Sequence, residues 1–305
     1  MKKAVILGAN GNIARIVSKE LNQKGWVIFQ FSRNPQKVNE NDQLIQGDLL
    51  DAEAVEKACD GADLVFLLAG ITYNTKIWQR DWPKIMRNTL DACITHQSKL
   101  IFFDNMYACD PAAVGHLTEE TPLNPTSKKG QVRMEILQML WREVAEENIT
   151  AMVTRSADFY GPNASNSFLN ELVIEKMKAG KSPQWLYNGK KRHSFTYIPD
   201  AGRATAFLAL KEDTWNQTWN LPTDSSYPSG EDVVKILNGL LSTNLKLQVL
   251  PAWAIWILGW FISPLKEVKE LHYQLDQDYC LDSSKFEKTF GWKPTPIKEG
   301  LKNCL

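Results

Sequence analysis

The chain opens on a short apolar strand that is followed at once by a glycine-spaced turn. Ala4-Val5-Ile6-Leu7 has the length and composition of a strand, and Gly8, Gly11 and Ala14 follow at G-x-x-G-x-x-A spacing. Apolar residues then recur at helical intervals: Ile13, Ile16, Val17 and Leu21. In this order Gly8 permits a tight turn, Gly11 lets a pyrophosphate approach the backbone, and the helix N-terminus offers N–H groups to phosphates. The pattern predicts a dinucleotide site, with an ordinary strand–helix turn as the alternative.

Composition argues against several classes of protein. The 305 residues include 35 acidic and 35 basic side chains, so no net field favours nucleic acid or an anionic membrane as a partner. The scattered cysteines and histidines show no C-x-x-C pair and no ligand spacing, which predicts reduced thiols and no metal site. Met1-Lys2-Lys3 leads straight into a strand, so we expect no signal peptide and a cytoplasmic protein.

One segment in the second half is apolar on every side. It runs from Ala252 to Ile262 between Pro251 and Pro264. Its length is about half of the roughly twenty residues that a bilayer-spanning helix needs. The sequence therefore favours a buried or interface helix and no membrane partner, with a lipid-facing anchor as the alternative. Three tryptophans have the spacing of core and dimer-face residues, which suggests a homodimer: Trp253, Trp256 and Trp260.

The first half continues to alternate strands with helices. Strands are predicted at 26–31, 44–46, 64–68, 100–103 and 150–155, and helices at 51–59, about 82–96 and 127–147. This alternation predicts an α/β fold with a doubly wound parallel Rossmann sheet. Ligands of such a sheet bind outside the carboxyl ends of its strands.

Beyond Gly161-Pro162 the alternation loosens. We expect helices near 168–179 and 200–210, a short strand at 195–198, a capping box from Ser229 to Asp232 and an edge strand at 245–250. The predicted domains are a dinucleotide-binding domain over 1–162, to which segments around 191–221 and 276–290 return, and a smaller α/β substrate-binding domain over most of 163–305.

Several motifs follow one another in a familiar order. They are Gly8–Ala14, Gly47-Asp48-Leu49, Leu68-Ala69-Gly70, Asn88, Arg155–Pro162, Phe195–Ala201 and Phe290–Pro294. Over nearly its whole length the chain resembles the extended short-chain dehydrogenase/reductases, the NAD-dependent epimerase/dehydratase family. The resemblance implies that Asp48 and Leu49 lie beside an adenine, that residues 68–70 pass the ribose and that Asn88 organises the site. Together with the motif, it gives these cofactor residues: Gly8, Asn10, Gly11, Asn12, Ile13, Asp48, Leu49, Leu68, Ala69, Gly70 and Asn88.

The usual catalytic set of this family is altered. Members that transfer hydride or protons use Ser, Tyr and Lys, with the Tyr and Lys four apart on the long helix. Aligned on Gly130, the Tyr slot holds Lys129 and the Lys slot holds Arg133, and the Ser slot falls on Asp104 or Asn105. The sequence therefore resembles the atypical members, and the usual mechanism does not transfer to it.

The replacements suggest new roles as hypotheses. Arg133 is predicted to clamp the ribose and phosphates, and Lys129 to bind an anionic or carbonyl group or to act as an acid. Tyr107 is the best substitute phenol, with Asn105 beside it. The alternatives are that Lys129 is a solvated first-turn cation and that Tyr107 is a packing residue.

The end of the second predicted strand bears on the choice of cofactor. Proteins that prefer NAD place an acid there to bind the ribose hydroxyls, whereas an arginine accommodates a 2′-phosphate. This chain has no acid at that point and offers Ser32 and Arg33. We therefore expect NADP, with NAD as the other possibility.

Two interpretations of function follow. The first is an NAD(P)-dependent oxidoreductase or epimerase-like enzyme that acts on a small carbonyl or sugar-like substrate. In it Tyr160 lines the substrate pocket or packs a hinge, and His193 touches substrate or lies at the rim. The second is a regulatory protein that senses NADP(H) without turnover.

Overall fold

The strands and helices fall into a long alternating series and a looser remainder. The computed structural model describes residues 2–164, 166–260 and 263–305, and of residues 263 and 264 only the backbone. The strands are β1 Lys3–Leu7, β2 Val27–Ser32, β3 Gln43–Gln46, β4 Leu64–Leu67, β5 Lys99–Asp104, β6 Ala151–Arg155, β7 Asp158–Tyr160, β8 Gln184–Leu186, β9 Phe195–Tyr197, β10 Thr218–Asn220 and β11 Gln248–Leu250. The helices are α1 Asn12–Gln23, α2 Ala52–Cys59, α3 Thr75–His96, α4 Lys128–Ala145, α5 Glu175–Lys178, α6 Ile198–Ala209, α7 Gly230–Leu241, α8 Ala252–Leu258, α9 Ser263–Val268, α10 Tyr273–Asp276, α11 Ser284–Phe290 and α12 Ile297–Lys302.

Seven strands form one sheet in the order β10-β6-β5-β4-β1-β2-β3. Within it β1 runs parallel to β2 and β4, and the pairs β2–β3, β4–β5 and β5–β6 are also parallel. The first six strands have the order of the doubly wound dinucleotide-binding fold, in which the strand order reverses between β1 and β4. The predicted fold class is therefore confirmed.

The burial of the central strands explains why the alternation of strands and helices could be predicted from the sequence. Every residue of β4 and of β6 is buried, as expected of parallel strands covered by helices on both faces. The edge strand β3 keeps Leu44 exposed. Continuous apolar runs therefore mark the middle of the sheet and mixed polarity marks its edge.

Side-chain caps decide where several helices begin. Asp51 caps α2, and Asn74 caps α3 by accepting hydrogen bonds from the backbone of residues 76 and 77. The start predicted near Trp82 is wrong, because α3 begins at Thr75 and continues through Pro83. The predicted capping box is confirmed, since Ser229 and Asp232 cap α7 reciprocally.

The chain divides into two compact units. Unit 1 contains Met1–Asp104, Gln131–Arg155 and Ala201–Trp219, and unit 2 contains Asn105–Gly130, Ser156–Asp200 and Asn220–Leu305. This division differs from the predicted one in four respects. Residues 105–130 and 156–162 belong to unit 2, as does the part of the returning segment before Ala201, and the segment 276–290 does not return to the unit of the large sheet.

The apolar segment after Pro251 forms α8 and exposes one side. Ala254 and Ile255 are buried, whereas three tryptophans are 69%, 60% and 73% exposed: Trp253, Trp256 and Trp260. Core packing of these tryptophans is therefore wrong as a prediction. Phe261 and Ile262, which end the predicted segment, lie outside the described residues. Among the helices that the structure describes, none has the length and hydropathy to cross a bilayer.

Gly8 joins β1 to the turn before α1 in a conformation that side chains rarely adopt. Its φ is +91°, and a Cβ built on it would lie 2.6 Å from the backbone nitrogen of Ala69. Both facts require glycine, because neither the φ nor the contact with the backbone can relax cheaply.

We expect Gly8→Ala to lower the free energy of unfolding by about 3 kcal/mol or more. Urea unfolding measures this change. Gly239→Ala in α7 is the matched control, because a Cβ there meets open space. The control should change stability by less than about 1 kcal/mol. Equal stabilities of the two variants would contradict the requirement for glycine at position 8.

Candidate functional site

The turn after β1 leads into the N-terminus of α1, where no side chain covers the backbone at Gly11. The N–H groups of Gly8 and Ala9 both donate to Phe31 O at 3.1 Å, which fixes the turn against β2. Gly11 is the N-cap residue of α1, and no side chain caps this helix. A Cβ on Gly11 would come no closer than 3.9 Å to other atoms, here Gly8 O. This geometry fits a diphosphate, because the helix N-terminus offers amides and no side chain blocks the approach.

Asn10 ties the glycine turn to the loop after β2. It has a φ of +81°, its Nδ2 donates to Asn34 O at 2.7 Å, and its Oδ1 accepts from Gln36 N at 3.0 Å. The same loop carries Ser32, which is half-buried, and Arg33, which is exposed. Asn10 therefore positions the loop that holds the predicted 2′-phosphate residues.

The remaining predicted cofactor residues lie around the ends of neighbouring strands in unit 1. Asn88 is buried, and its Nδ2 donates to Leu49 O at 2.9 Å. Asp48 is exposed, and Leu68 N donates to Leu7 O at 2.9 Å. Ala69 is half-buried and Gly70 is exposed. Asn88 is thus a positioning residue for the segment 48–49, and direct contacts of these residues with a cofactor stay predictions.

Arg133 lies in a buried group of charged and aromatic side chains in unit 1. Its Nε is 3.4 Å from Oδ1 of Asp104, and its guanidinium lies 4.1 Å from the ring centre of Trp82. Arg155 Nε is 3.9 Å from the other oxygen of Asp104. The carboxylate and the ring hold Arg133 in place, because both attract a guanidinium. Its predicted contact with ribose and phosphates remains untested.

Lys129 is fully buried between two glutamates of unit 2. Its Nζ lies 2.5 Å from Oε2 of Glu267 and 2.7 Å from Oε1 of Glu270. The other carboxylate oxygen of Glu270 accepts from Lys128 N at 2.9 Å. The alternative that Lys129 is a solvated cation is therefore wrong. Its roles as a binder of an anionic or carbonyl group or as an acid stay predictions. In this structure its ammonium contacts the carboxylates of Glu267 and Glu270.

The sequence does not indicate these glutamates. Glu267 and Glu270 alternate with Lys266 and Lys269, and such a charged run is typical of a solvated helix face. Their partner lies more than a hundred residues earlier in the chain. A local pattern therefore carries no signal for this contact.

Tyr107 and Asn105 form one turn of unit 2. Asn105 Oδ1 accepts from Tyr107 N at 2.9 Å, and both residues are half-buried. The Tyr107 ring packs against a buried cluster that includes Met106, Tyr273 and Tyr279. Burial raises the pKa of Tyr273 to about 12. The structure leaves both interpretations of Tyr107 open, as proton donor and as packing residue.

Tyr160 and His193 lie inside unit 2 rather than at its surface. Tyr160 is 0% exposed among apolar residues, and burial raises its pKa well above the ordinary value. His193 is 2% exposed, its Nε2 lies 2.8 Å from Asp158 Oδ2, and its ring lies 4.6 Å from that of Phe195. The burial of Tyr160 fits the alternative that it is a packing residue, and the burial of His193 does not fit a position at the rim. Contact of either residue with a substrate stays a prediction.

The described residues contain no group of side chains suited to a metal ion, and the five cysteines, all of them described, are buried free thiols. Burial raises the pKa of Cys93 well above its ordinary value. Burial also raises the pKa of Cys280 and of Cys304, so these three thiols are poor nucleophiles, because the thiolate is the reactive form.

We expect Lys129→Met to lower the free energy of unfolding by about 3–5 kcal/mol, because the substitution leaves two carboxylates without their buried cation. Urea unfolding at neutral pH measures it. K129M/E267Q/E270Q should recover most of the loss, since no buried charge then lacks a partner. Lys128→Met, at the exposed neighbouring side chain, is the control. A Lys129→Met variant as stable as this control would show that the ion pairs contribute nothing.

Comparison with known proteins places these features in a family. A model of the NAD dependent epimerase/dehydratase family matches residues 4–221. Anthocyanidin reductase of Arabidopsis thaliana is 26% identical over 251 residues, which are 69% of this chain and 73% of that protein.

Solved structures share the fold at low sequence identity. The UDP-glucose 4-epimerase of Thermotoga maritima, crystallised with UDP-glucose, superimposes with a TM-score of 0.77 at 19% identity over 99% of this chain and 96% of that one. The UDP-glucuronic acid 4-epimerase of Bacillus cereus in complex with NAD gives 0.77 at 19% identity over 99% and 94%. Because the family match covers more than half of the sequence, this chain belongs to the NAD-dependent epimerase/dehydratase family.

Proposed function

We propose that this protein binds NADP(H) in preference to NAD(H) and acts as a reductase- or epimerase-like enzyme on a small carbonyl or sugar-like substrate. The observation that carries the proposal is the open turn at Gly11, followed by a helix that no side chain caps. When bound, a nicotinamide supplies hydride transfer, and the protein supplies orientation and the path of the proton.

The preference for NADP(H) rests on the loop that Asn10 holds. Arg33 is exposed at the end of β2, and Ser32 Oγ lies 3.4 Å from Asn10 Nδ2. An arginine at this point accommodates a 2′-phosphate, whereas an acid would repel it. NAD, which the Bacillus cereus relative binds, is the alternative cofactor.

Proton transfer in this protein requires a group other than the usual tyrosine. Lys129 occupies the tyrosine slot with its ammonium between Glu267 and Glu270. Tyr107 is half-buried and its backbone is fixed by Asn105. We assign the proton donor to Tyr107 and the orientation of its turn to Asn105. Arg133, held by Asp104 and Trp82, contributes a cation for ribose or phosphate.

A second function, sensing NADP(H) without turnover, is favoured by one observation. The two glutamates engage Lys129 fully, which leaves the tyrosine slot with a packed ion pair in place of a titrating phenol. Both functions share the cofactor site and differ in whether Tyr107 acts on a substrate.

We expect wild-type protein to bind NADPH at least tenfold more tightly than NADH, measured by isothermal titration calorimetry. Gly11→Ala should weaken both nucleotides at least tenfold, because its methyl group meets the phosphates, while the melting temperature stays unchanged. Arg33→Gln should weaken NADPH alone. Tighter binding of NADH would overturn the proposed preference, and unchanged binding by Gly11→Ala would remove the turn from the cofactor site.

With aldehydes, ketones and UDP-sugars as test substrates, we expect Tyr107→Phe to lower kcat by about a hundredfold or more, because general acid catalysis contributes on this scale. The cofactor Kd should not change. Tyr73→Phe, at an exposed tyrosine, is the control. Tight NADPH binding without turnover of any compound would favour the sensor, and equal kcat for Tyr107→Phe and wild type would exclude Tyr107 as the proton donor.

A further inference from the structure

The exposed side of α8 is the largest group of surface aromatic residues that the structure describes. We call it the tryptophan face and define it by five exposed side chains: Val249, Trp253, Trp256, Ile257 and Trp260, with exposures of 41%, 69%, 60%, 48% and 73%. Scattered apolar residues on a surface are normal, but contiguous ones indicate an interaction site. The tryptophan face is therefore a candidate interaction surface.

The opposite side of α8 fixes the helix on unit 2. Ile255 is fully buried against Leu186 and Leu275, with Leu250, Leu265 and Val268 packed around them. Lys269 Nζ donates to Trp256 O at 2.7 Å and lies 5.6 Å from the centre of the Trp256 ring. Trp256 and Trp260 have ring centres 5.8 Å apart. One side of the helix is thus packed on unit 2, while the tryptophan side chains are exposed to solvent.

The charged residues that flank the tryptophan face along the chain are both basic. Residues 247–265 include no charged side chain, and the nearest charged residues along the chain are Lys246 and Lys266, both exposed. Glu267, the nearest acid in this segment, is directed to Lys129. A basic border around an uncharged aromatic surface is complementary to a surface that is apolar with anionic groups.

We propose that the tryptophan face docks this protein on an anionic lipid bilayer, with the indole rings at the headgroup level and Lys246 and Lys266 against lipid phosphates or carboxylates. Tryptophan is enriched at membrane–water interfaces because its ring is apolar and its N–H donates a hydrogen bond. Basic residues beside an apolar helix face strengthen binding to anionic lipids. Such binding is peripheral, without a helix that spans the bilayer. It differs from the expectation, based on the balanced net charge, that the protein has no membrane partner.

A second copy of the chain fits this surface less well. In a two-fold symmetric pair the same patch faces itself, so Lys246 and Lys266 of both copies would meet with no acid among the described exposed residues of the face. Like charges placed together at an interface cost affinity. An anionic bilayer has the opposite sign and removes this cost.

The test is flotation of the full chain with two kinds of vesicle, phosphatidylcholine alone and phosphatidylcholine with 30% phosphatidylserine. We expect binding to the anionic vesicles and little to the neutral ones. W253S/W256S/W260S should bind at least tenfold more weakly. K246Q/K266Q should lose about fivefold for each lysine, following the usual contribution of a cation near an anionic surface. L44S/L305S, which changes exposed apolar residues elsewhere, is the matched control.

Circular dichroism and melting curves confirm that each variant is folded, and K246Q/K266Q keeps all the tryptophans. Failure of the wild type to float with anionic vesicles overturns the proposal, as does equal flotation of the tryptophan variant. Sedimentation velocity without lipid shows whether the chain forms a dimer. If the wild type dimerises but does not float, and the tryptophan variant does not dimerise, the tryptophan face binds a second copy of the chain. NADPH binding should be unaffected in all variants.

Discussion

The architecture of unit 1 depends on one close approach of backbone to backbone. At Gly8 the chain leaves β1 and passes so near Ala69 that a side chain has no room. Since β1 lies between β2 and β4, this contact sets the position of the turn relative to both neighbours. Asn10 then joins the turn to the loop after β2. The missing side chain of Gly8 thus allows the turn to contact Ala69, and the side chain of Asn10 ties the same turn to the residues after β2.

Two cations of α4 are held by buried acidic or aromatic side chains. Arg133 has Asp104 and Trp82 as neighbours, and Lys129 has Glu267 and Glu270. Buried ion pairs lose hydration, and their net contribution to stability is modest even when the loss of one partner is severe. The ion pairs of Arg133 and Lys129 therefore hold these two side chains in one position and add little to the free energy of unfolding.

Most strands and the glycine turn were predicted correctly from local sequence patterns, whereas contacts between residues far apart in the chain were not. The apolar runs at 64–67 and 151–155 and the spacing of Gly8, Gly11 and Ala14 specify strands and a turn, because each depends on neighbours in sequence. The start of α3 was predicted near Trp82, whereas Asn74 caps the helix and Thr75 begins it. Tyr160 and His193 were predicted to lie at a pocket or its rim, but both are buried. The local sequence does not show this burial, because elements distant in the chain cover these residues. The three tryptophans on and just after α8 were predicted to be core and dimer-face residues, and their exposure contradicts the core part of that prediction.

The lysine between two glutamates also restricts how this chain can change over generations. A tyrosine at position 129 alone would leave Glu267 and Glu270 without the ammonium that both of them contact, and burial makes unpaired carboxylates costly. Replacing one glutamate first leaves Lys129 paired with the other, whereas replacing both leaves its buried ammonium without a carboxylate. A change of residue type at position 129 is thus coupled to changes at two positions more than a hundred residues away in the chain.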